Sequence, residues 1–445
     1  MEQECDRTKV LPDDVLAGVL GRLDPRNLAT SRCVCKTWRD IIDDHRALRG
    51  IFLPNSLAGI FINFNELTYS EFFSRPSPTK AVGVGERLAN HVNDHCNGLL
   101  LLYNAVANPI RGWAAPLPPQ PPQSLWPECF FEDSYLVFDP MVSSDYHVFL
   151  IPRIPYIELD IEPFEDPVVE IDPVVEIDPV VLESEWPPTS WTLRVFSSLN
   201  GQWEERIFMR QGEAAGIVSD LATDYSWDKR HAIYWCGALY VHCKKYFVIR
   251  LSLSDNTYHV IKPPKSLELE SFPNCYLGNS KKGVYYALLL ENGCKLQVWV
   301  LNESHGHKEW ILEHDRDLKL PSPCLKNGPW ILEDVNYNDE KYIRHYDETN
   351  TIEEDFEWNS DNDVLDTEDM INKGGYDSIL GFHPFKEIVF LSRHWSRNLR
   401  RGLAYHLNTS KIEDLGNLCP KDYDDITGQR GRIEASFMYT PCWVK

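Results

Sequence analysis

HAIYWCGALYVHCKKYFVIRLSLSDNTYHVIKPP, residues 231–264, is a run of short apolar segments punctuated by turn residues. His231 to Trp235 breaks at Gly237. Leu239-Tyr240-Val241, Tyr246 to Leu251 and Tyr258 to Ile261 follow, and Pro263-Pro264 ends the run. Aromatic and β-branched residues bounded by glycine, asparagine and proline predict strands joined by tight turns.

The same pattern spreads in both directions. Upstream lie Leu99 to Tyr103 after Asn97-Gly98, Tyr135 to Phe138, Tyr146 to Ile151, and the Trp191–Phe196 run that breaks at Asn200-Gly201 and resumes at Trp203. Downstream lie Val284 to Leu290, Asn292-Gly293, Leu296 to Leu301 and Trp310 to Leu312. A last unit holds Ile379 to Pro384, Ile388 to Leu391, Leu403 to Leu407 and Ile412 to Leu415. Asn-Gly between alternating runs is a hairpin cue. Units returning every ~40–50 residues predict a β-propeller of about five to seven blades, with a large β-sandwich as the alternative. After residue 90 no helical periodicity competes. Most of the 14 Trp and 20 Tyr fall at alternating strand positions and are expected in the core.

Two stretches interrupt the units, near 159–188 and 333–373. In the first, Asp166-Pro-Val-Val-Glu-Ile repeats at Asp172 and incompletely at Asp178. A proline in every copy excludes a central strand or helix interior and predicts a surface loop. The second is an acidic run, read as a solvated loop. Its Asp361-Asn-Asp363 lacks the glycine and further ligands of a calcium-binding hand.

The N-terminus differs. Leu11-Pro-Asp-Asp-Val-Leu-Ala-Gly-Val-Leu-Gly-Arg-Leu-Asp-Pro25 carries Val15, Leu16, Val19, Leu20 and Leu23 at helical spacing. Pro12 suits a first turn, and Asp13 and Asp14 complement the helix dipole. Asp24-Pro25 opens a second helix bearing Leu28 and Cys33, and Val34 to Ile42 forms a third. Three short helices cannot bury enough surface to be firmly stable alone. Leu11, Pro12, Val15, Leu16 and Trp38 offer apolar surface beyond what the bundle uses, for a partner or for the rest of the chain.

Leu11-Pro-Asp-Asp-Val-Leu16, Leu23, Leu28 and Arg32-Cys-Val-Cys-Lys-Thr-Trp-Arg39 resemble the F-box motif of plant proteins, without a gap from about Leu11 to Leu48. The resemblance implies a helical module docking on a Skp-type adaptor and, through it, on a cullin–RING ligase. It puts Leu11, Pro12, Val15 and Leu16 at the adaptor interface, and shares Leu20, Leu23, Leu28, Val34 and Trp38 between that interface and the core. Gly237 to Pro264, Leu296 to Ser304 and Gly381-Phe-His-Pro384 resemble F-box-associated propeller domains of plants. Regular kelch or WD signatures are absent. The expected organisation is therefore an all-α F-box at 8–49, a connector at 50–87 and an all-β, propeller-like domain at 88–445.

The chemistry of catalysis is not written in the chain. There is no Gly-x-Ser-x-Gly elbow and no phosphate-cradling loop. Cys33-x-Cys35 lacks further ligands at zinc spacing and reads as helix packing. His231, Cys236, His242 and Cys243 are irregularly spaced inside strands, and His305-Gly-His307 sits in a turn; packing is the simpler account of both. His95-Cys96 lacks a third catalytic member. No catalytic residue, metal or cofactor is expected. A net charge of −23 argues against nucleic acid, which needs a basic footprint. Arg393, Arg397, Arg400 and Arg401 come nearest to one and read as a solvated loop between strands. No apolar run reaches membrane-spanning length, no signal segment is seen, and the 12 scattered cysteines suit a reducing compartment, cytoplasm or nucleus. The expected function is a non-enzymatic receptor that presents an unknown protein client to a ubiquitin ligase. The alternatives are a propeller enzyme or carbohydrate-binding protein with a helical appendage, and an F-box protein acting outside an active ligase.

Overall fold

The computed structural model describes residues 12–23, 25–45, 48, 56–76, 91–122, 130–155, 177–222, 231–244, 247–264, 274–304, 308–318, 328–336, 376–396, 399–421, 423 and 431–443. The chain begins with short helices and continues as a mostly β domain.

Helix α1 (Asp13–Leu20) follows extended Pro12, carries Asp13 and Asp14 in its first turn, and closes when the Gly21 N–H donates to the Ala17 carbonyl. It buries Leu16, Ala17 and Leu20. Helices α2 (Pro25–Ser31) and α3 (Lys36–Asp44) follow. Arg32 fastens the turn between them, donating from Nε and Nη2 to the two Asp43 oxygens at 2.8 Å each. Cys35 does not pack inside a helix as expected. It precedes α3 in extended conformation, and its sulfur accepts from the Trp38 N–H at 3.5 Å. Cys33 is exposed.

The strands form antiparallel quartets. The first combines Gly59–Phe64 and Glu71–Ser74 with Ile331–Leu332 and the late strand Ile433–Tyr439. The second is a meander of Val92–Cys96, Leu99–Leu102, Ala105–Asn108 and Trp113–Pro116. An eight-stranded sheet follows. One half is Phe131–Phe138, Tyr146–Arg153, Ser190–Ser197 and Gln202–Gln211; the other is Ala232–Trp235, Ala238–His242, Val248–Ser252 and Thr257–Ile261. The halves join where Met209, Arg210 and Gln211 pair in parallel with Thr257, Tyr258 and His259. The sheet's two end strands, Phe131–Phe138 and Ala232–Trp235, lie against each other, so the sheet nearly closes in a barrel-like course. Two more quartets are Asn274–Ser280, Gly283–Leu290, Lys295–Asn302 and Glu309–Asp317, then Ser378–Phe382, Ile388–Ser396, Leu399–His406 and Ile412–Asn417.

One strand of each quartet meets one strand of the next. Val92–Cys96 contacts Phe131–Phe138, which contacts Ala232–Trp235; the series continues through Asn274–Ser280, Ser378–Phe382 and Ile433–Tyr439 back to Val92–Cys96. Polar stitches hold these junctions. The Asp94 carboxylate accepts from the Leu136 N–H at 2.7 Å, the Tyr276 hydroxyl donates to the Ser436 carbonyl at 3.2 Å, and the Ser436 hydroxyl donates to the Leu380 carbonyl at 2.7 Å. Between quartets lie the aromatic cores. Trp191, Phe149, Leu239, Ile249 and Tyr258 fill the eight-stranded sheet, and Tyr285, Leu403 and Tyr405 fill the space between the last two quartets. Trp191, Tyr240, Tyr258, Tyr285, Tyr286, Tyr405 and Tyr439 are fully buried.

Three expectations change. Residues 59–64 and 71–74, read as connector, are strands, and Gly59 to Phe64 pairs with Tyr439 back to Ile433. That partner lies far along the chain, where local pattern gives no hint of it. Arg393, Arg400 and Arg401 do not lie in a solvated loop: they sit on a hairpin and are 7%, 8% and 2% exposed. Arg401 grips Asp414 with Nε at 3.0 Å and Nη2 at 2.7 Å, Arg400 pairs with Asp377 at 3.1 Å, and the Arg393 guanidinium lies 4.6 Å from the Trp395 ring centre. Fork-shaped pairing and ring stacking make burial of a guanidinium tolerable. The Asn-Gly hairpins form, but Asn200-Gly201 and Asn292-Gly293 sit in four-residue loops. Asn97-Gly98 and Cys236-Gly237 form two-residue turns, all four residues at positive φ.

The acidic run from residue 337 to 375, the first two Asp-Pro-Val-Val copies, Arg397 and His305-Gly-His307 lie outside the described residues. At the third copy Asp178 caps the one-turn helix Pro179–Leu182, with Pro179 at its first position.

Candidate functional site

The helices present one apolar face and hide another. Leu16, Leu20, Leu28, Ile42 and Leu48 are buried together, in a cluster shared with Cys96, Leu99, Phe138 and Cys442 of the β domain. Leu23 and Trp38 are half-buried against this cluster. Val15, Val19 and Val34 are 47%, 51% and 60% exposed, and Pro12 is exposed beside them in sequence. Val15 and Val19 stand four residues apart, on one face of α1. Among the expected interface residues, Pro12, Val15 and Val34 are therefore accessible, Leu16, Leu20 and Leu28 are core, and Leu11 is outside the described residues. Val19 was part of the stripe in sequence but not singled out; its exposure makes it a surface residue. The Trp38 indole N–H is buried and finds no hydrogen-bond acceptor among the described residues.

A second candidate lies in the β domain. The junction strands end around a cavity of about 610 Å³, to which every quartet contributes. Asn97, Asp139, Tyr234, Trp235, Lys281 and Phe385 line it, with Asp94, His95, His231 and Tyr276. The placement follows from the strands: Asp94 sits at the inward parity of Val92–Cys96, between buried Val92 and Cys96. Burial pushes its carboxyl up to about 7, against the hydrogen bonds from the Leu136 and His95 N–H groups. Burial holds His95 down to about 4, so it is neutral at pH 7. Burial and the nearby Asp139 raise Tyr234 to about 12. The His231 ring lies 3.9 Å from the Tyr276 ring centre. A broader cavity of about 840 Å³ opens at the opposite ends of three of the same strands, beside Tyr103, Glu132, Asp133 and Glu434.

The histidines and cysteines once considered for zinc do not converge. Cys236 is exposed in a turn, whereas buried His242 meets the Tyr286 hydroxyl at 2.9 Å. Among the described residues no group of three or more His, Cys, Asp or Glu is placed to hold a metal, and no helix is long and apolar enough to cross a membrane. The cavity carboxylates escaped the sequence reading. The available signal was an aspartate at an apolar parity in Val92 to Cys96.

Comparison with known proteins matches the N-terminal helices. Residues 10–49 match the family described as F-box domain. An F-box protein of Arabidopsis thaliana is 51% identical over 37 residues, 8% of this chain and 10% of that protein. The matched stretch thus spans about a tenth of that relative. A solved structure, from a study of prolyl endopeptidases and the role of inter-domain dynamics, covers 80% of this chain and 35% of its own at 9% identity. Its TM-score is 0.29, too low to bear on fold or activity. Residues 10–49 are an F-box domain, with a plant protein among its relatives.

Proposed function

We propose that this protein is the substrate-receptor subunit of an SCF-type cullin–RING ubiquitin ligase. The observation that carries the reading is the F-box domain at residues 10–49, with Pro12, Val15, Val19 and Val34 left accessible. F-box proteins act in general as non-catalytic subunits. In this reading the N-terminal helices dock on a Skp-type adaptor through those residues, with Trp38, Leu23 and the buried leucines holding the face in shape. The rest of the chain, from about residue 56, is a six-bladed β-propeller that holds a protein client. Six follows from the four-stranded sheets and the two halves of the eight-stranded one, and the closed order of strand junctions supports a propeller over a sandwich. The pairing of Gly59–Phe64 with Ile433–Tyr439 then closes the ring.

Ubiquitin transfer occurs elsewhere in such a complex. The receptor supplies proximity, raising the effective concentration of client near the conjugating enzyme. It needs two binding faces and no active site. Cytoplasm or nucleus is the compartment this role requires. The test is co-purification with a Skp-type adaptor: removal of residues 1–50 abolishes capture, and undiminished capture refutes the reading.

A further inference from the structure

We propose that the cavity of about 610 Å³ at the strand ends is a recognition pocket for a cationic side chain, arginine or lysine, of a protein client. The proposal rests on the receptor reading and narrows the class of client.

The lining combines two features that a cation needs. Tyr234, Trp235, Tyr276, Phe382, Phe385 and Phe437 bring aromatic rings to the cavity. An aromatic face attracts a guanidinium or ammonium within about 6 Å of its centre, more strongly where water is displaced. Asp94 and Asp139 add carboxylates. Asp94 is only 4% exposed and accepts a backbone N–H bond, yet no lysine or arginine forms an ion pair with it among the described residues. A buried carboxylate without a countercharge is unfavourable, and an arriving guanidinium supplies the charge and up to five donors.

The remaining charged or titratable neighbours do not reverse this balance. His95 is neutral at pH 7, the Cys96 thiol is pushed up by burial, and Cys236 lies in the exposed turn. The His231 ring packs against Tyr276, tilted by 35°. Lys281 is the single lysine in the lining and is exposed. The overall charge of −23 draws cations toward the surface. The wider cavity near Glu132 and Glu434 is also acidic, but Arg194 already pairs with Glu132, and its polar wall lacks the same ring of aromatic side chains.

The experiment uses the full chain purified with a Skp-type adaptor. The probes are the peptides Ac-Gly-Arg-Gly-NH2 and Ac-Gly-norleucine-Gly-NH2, followed by ligand-observed NMR. The arginine peptide is expected to bind at least tenfold more tightly than its uncharged counterpart. Asp94→Asn, which keeps an oxygen for the Leu136 N–H, and Asp139→Asn are each expected to remove most of that preference. Equal binding of both peptides, no binding of either, or a preference unchanged in both variants overturns the proposal. So does loss of the preference in Glu434→Gln alone, which would move the site to the other opening. Adaptor capture is measured on the same samples. Its failure strikes the ligase reading and leaves the peptide result standing, so the two claims fail separately.

Discussion

Asp94→Asn should make the protein's stability less dependent on pH. Burial raises the Asp94 carboxyl from 3.8 to about 7 in the folded state. The sign follows from which state releases its proton first. Below pH 3.8 both states are protonated. Between 3.8 and 7 the unfolded chain is ionised while the fold retains the proton, so stability declines as pH rises. The decline levels off above pH 7. A shift of roughly three units corresponds to about 4 kcal/mol over the whole range, and between pH 5 and 8 to about 2–3 kcal/mol. Glu71 is fully buried and raised from 4.5 to about 7, so it adds a decline of the same sign. Comparing variant with wild type isolates Asp94. Urea denaturation at half-unit steps from pH 5 to 8 is the assay. The wild type should lose about 2–3 kcal/mol relative to Asp94→Asn across that range. A difference independent of pH, or one that grows in the opposite direction, would refute a buried carboxylate lacking a countercharge.

Arg401→Ala should destabilise by about 2–3 kcal/mol, because it removes a guanidinium only 3% exposed and leaves the part-buried Asp414 without its fork-shaped partner; chemical denaturation reads this, and a loss under 1 kcal/mol contradicts it. Gly98→Ala and Gly237→Ala form a matched pair. Both glycines have positive φ, but a methyl at Gly98 would stand 2.4 Å from the Cys442 Cβ, whereas Gly237 faces open space. The second should cost about 1–2 kcal/mol from backbone strain alone, and the first clearly more; equal melting temperatures would contradict the close approach at Cys442.

The parts of the structure legible in sequence are those fixed by neighbours along the chain. Val15, Leu16, Val19 and Leu20 announce α1, and Asn97-Gly98 announces a two-residue turn. The burial of Trp191, Tyr240 and Tyr258 follows from their place in apolar strand runs covered on both faces. What was not legible depends on partners that only the folded chain places opposite, whether across one sheet or hundreds of residues away. Gly59 to Phe64 reads as connector until Ile433 to Tyr439 arrives beside it. Arg400 and Arg401 read as solvated until Asp377 and Asp414 are placed opposite them. The helical face divided in the same way. Periodicity identified the apolar stripe, but only packing separates buried Leu16 and Leu20 from accessible Val15 and Val19. The cavity was least legible, since residues from every quartet must meet before Asp94 and Tyr234 become neighbours of one space.

The central claim is that the exposed face of α1 docks on an adaptor. Val15→Glu places an acid in the first turn and Val19→Lys a base in the last, both suited to the helix dipole, so the fold should change by less than about 0.5 kcal/mol. The measurement is the affinity of the Val15→Glu/Val19→Lys double variant for a Skp-type adaptor by calorimetry, beside wild type and with melting temperatures matched. The account predicts at least a hundredfold loss of affinity. Wild-type affinity in a well-folded double variant would contradict it.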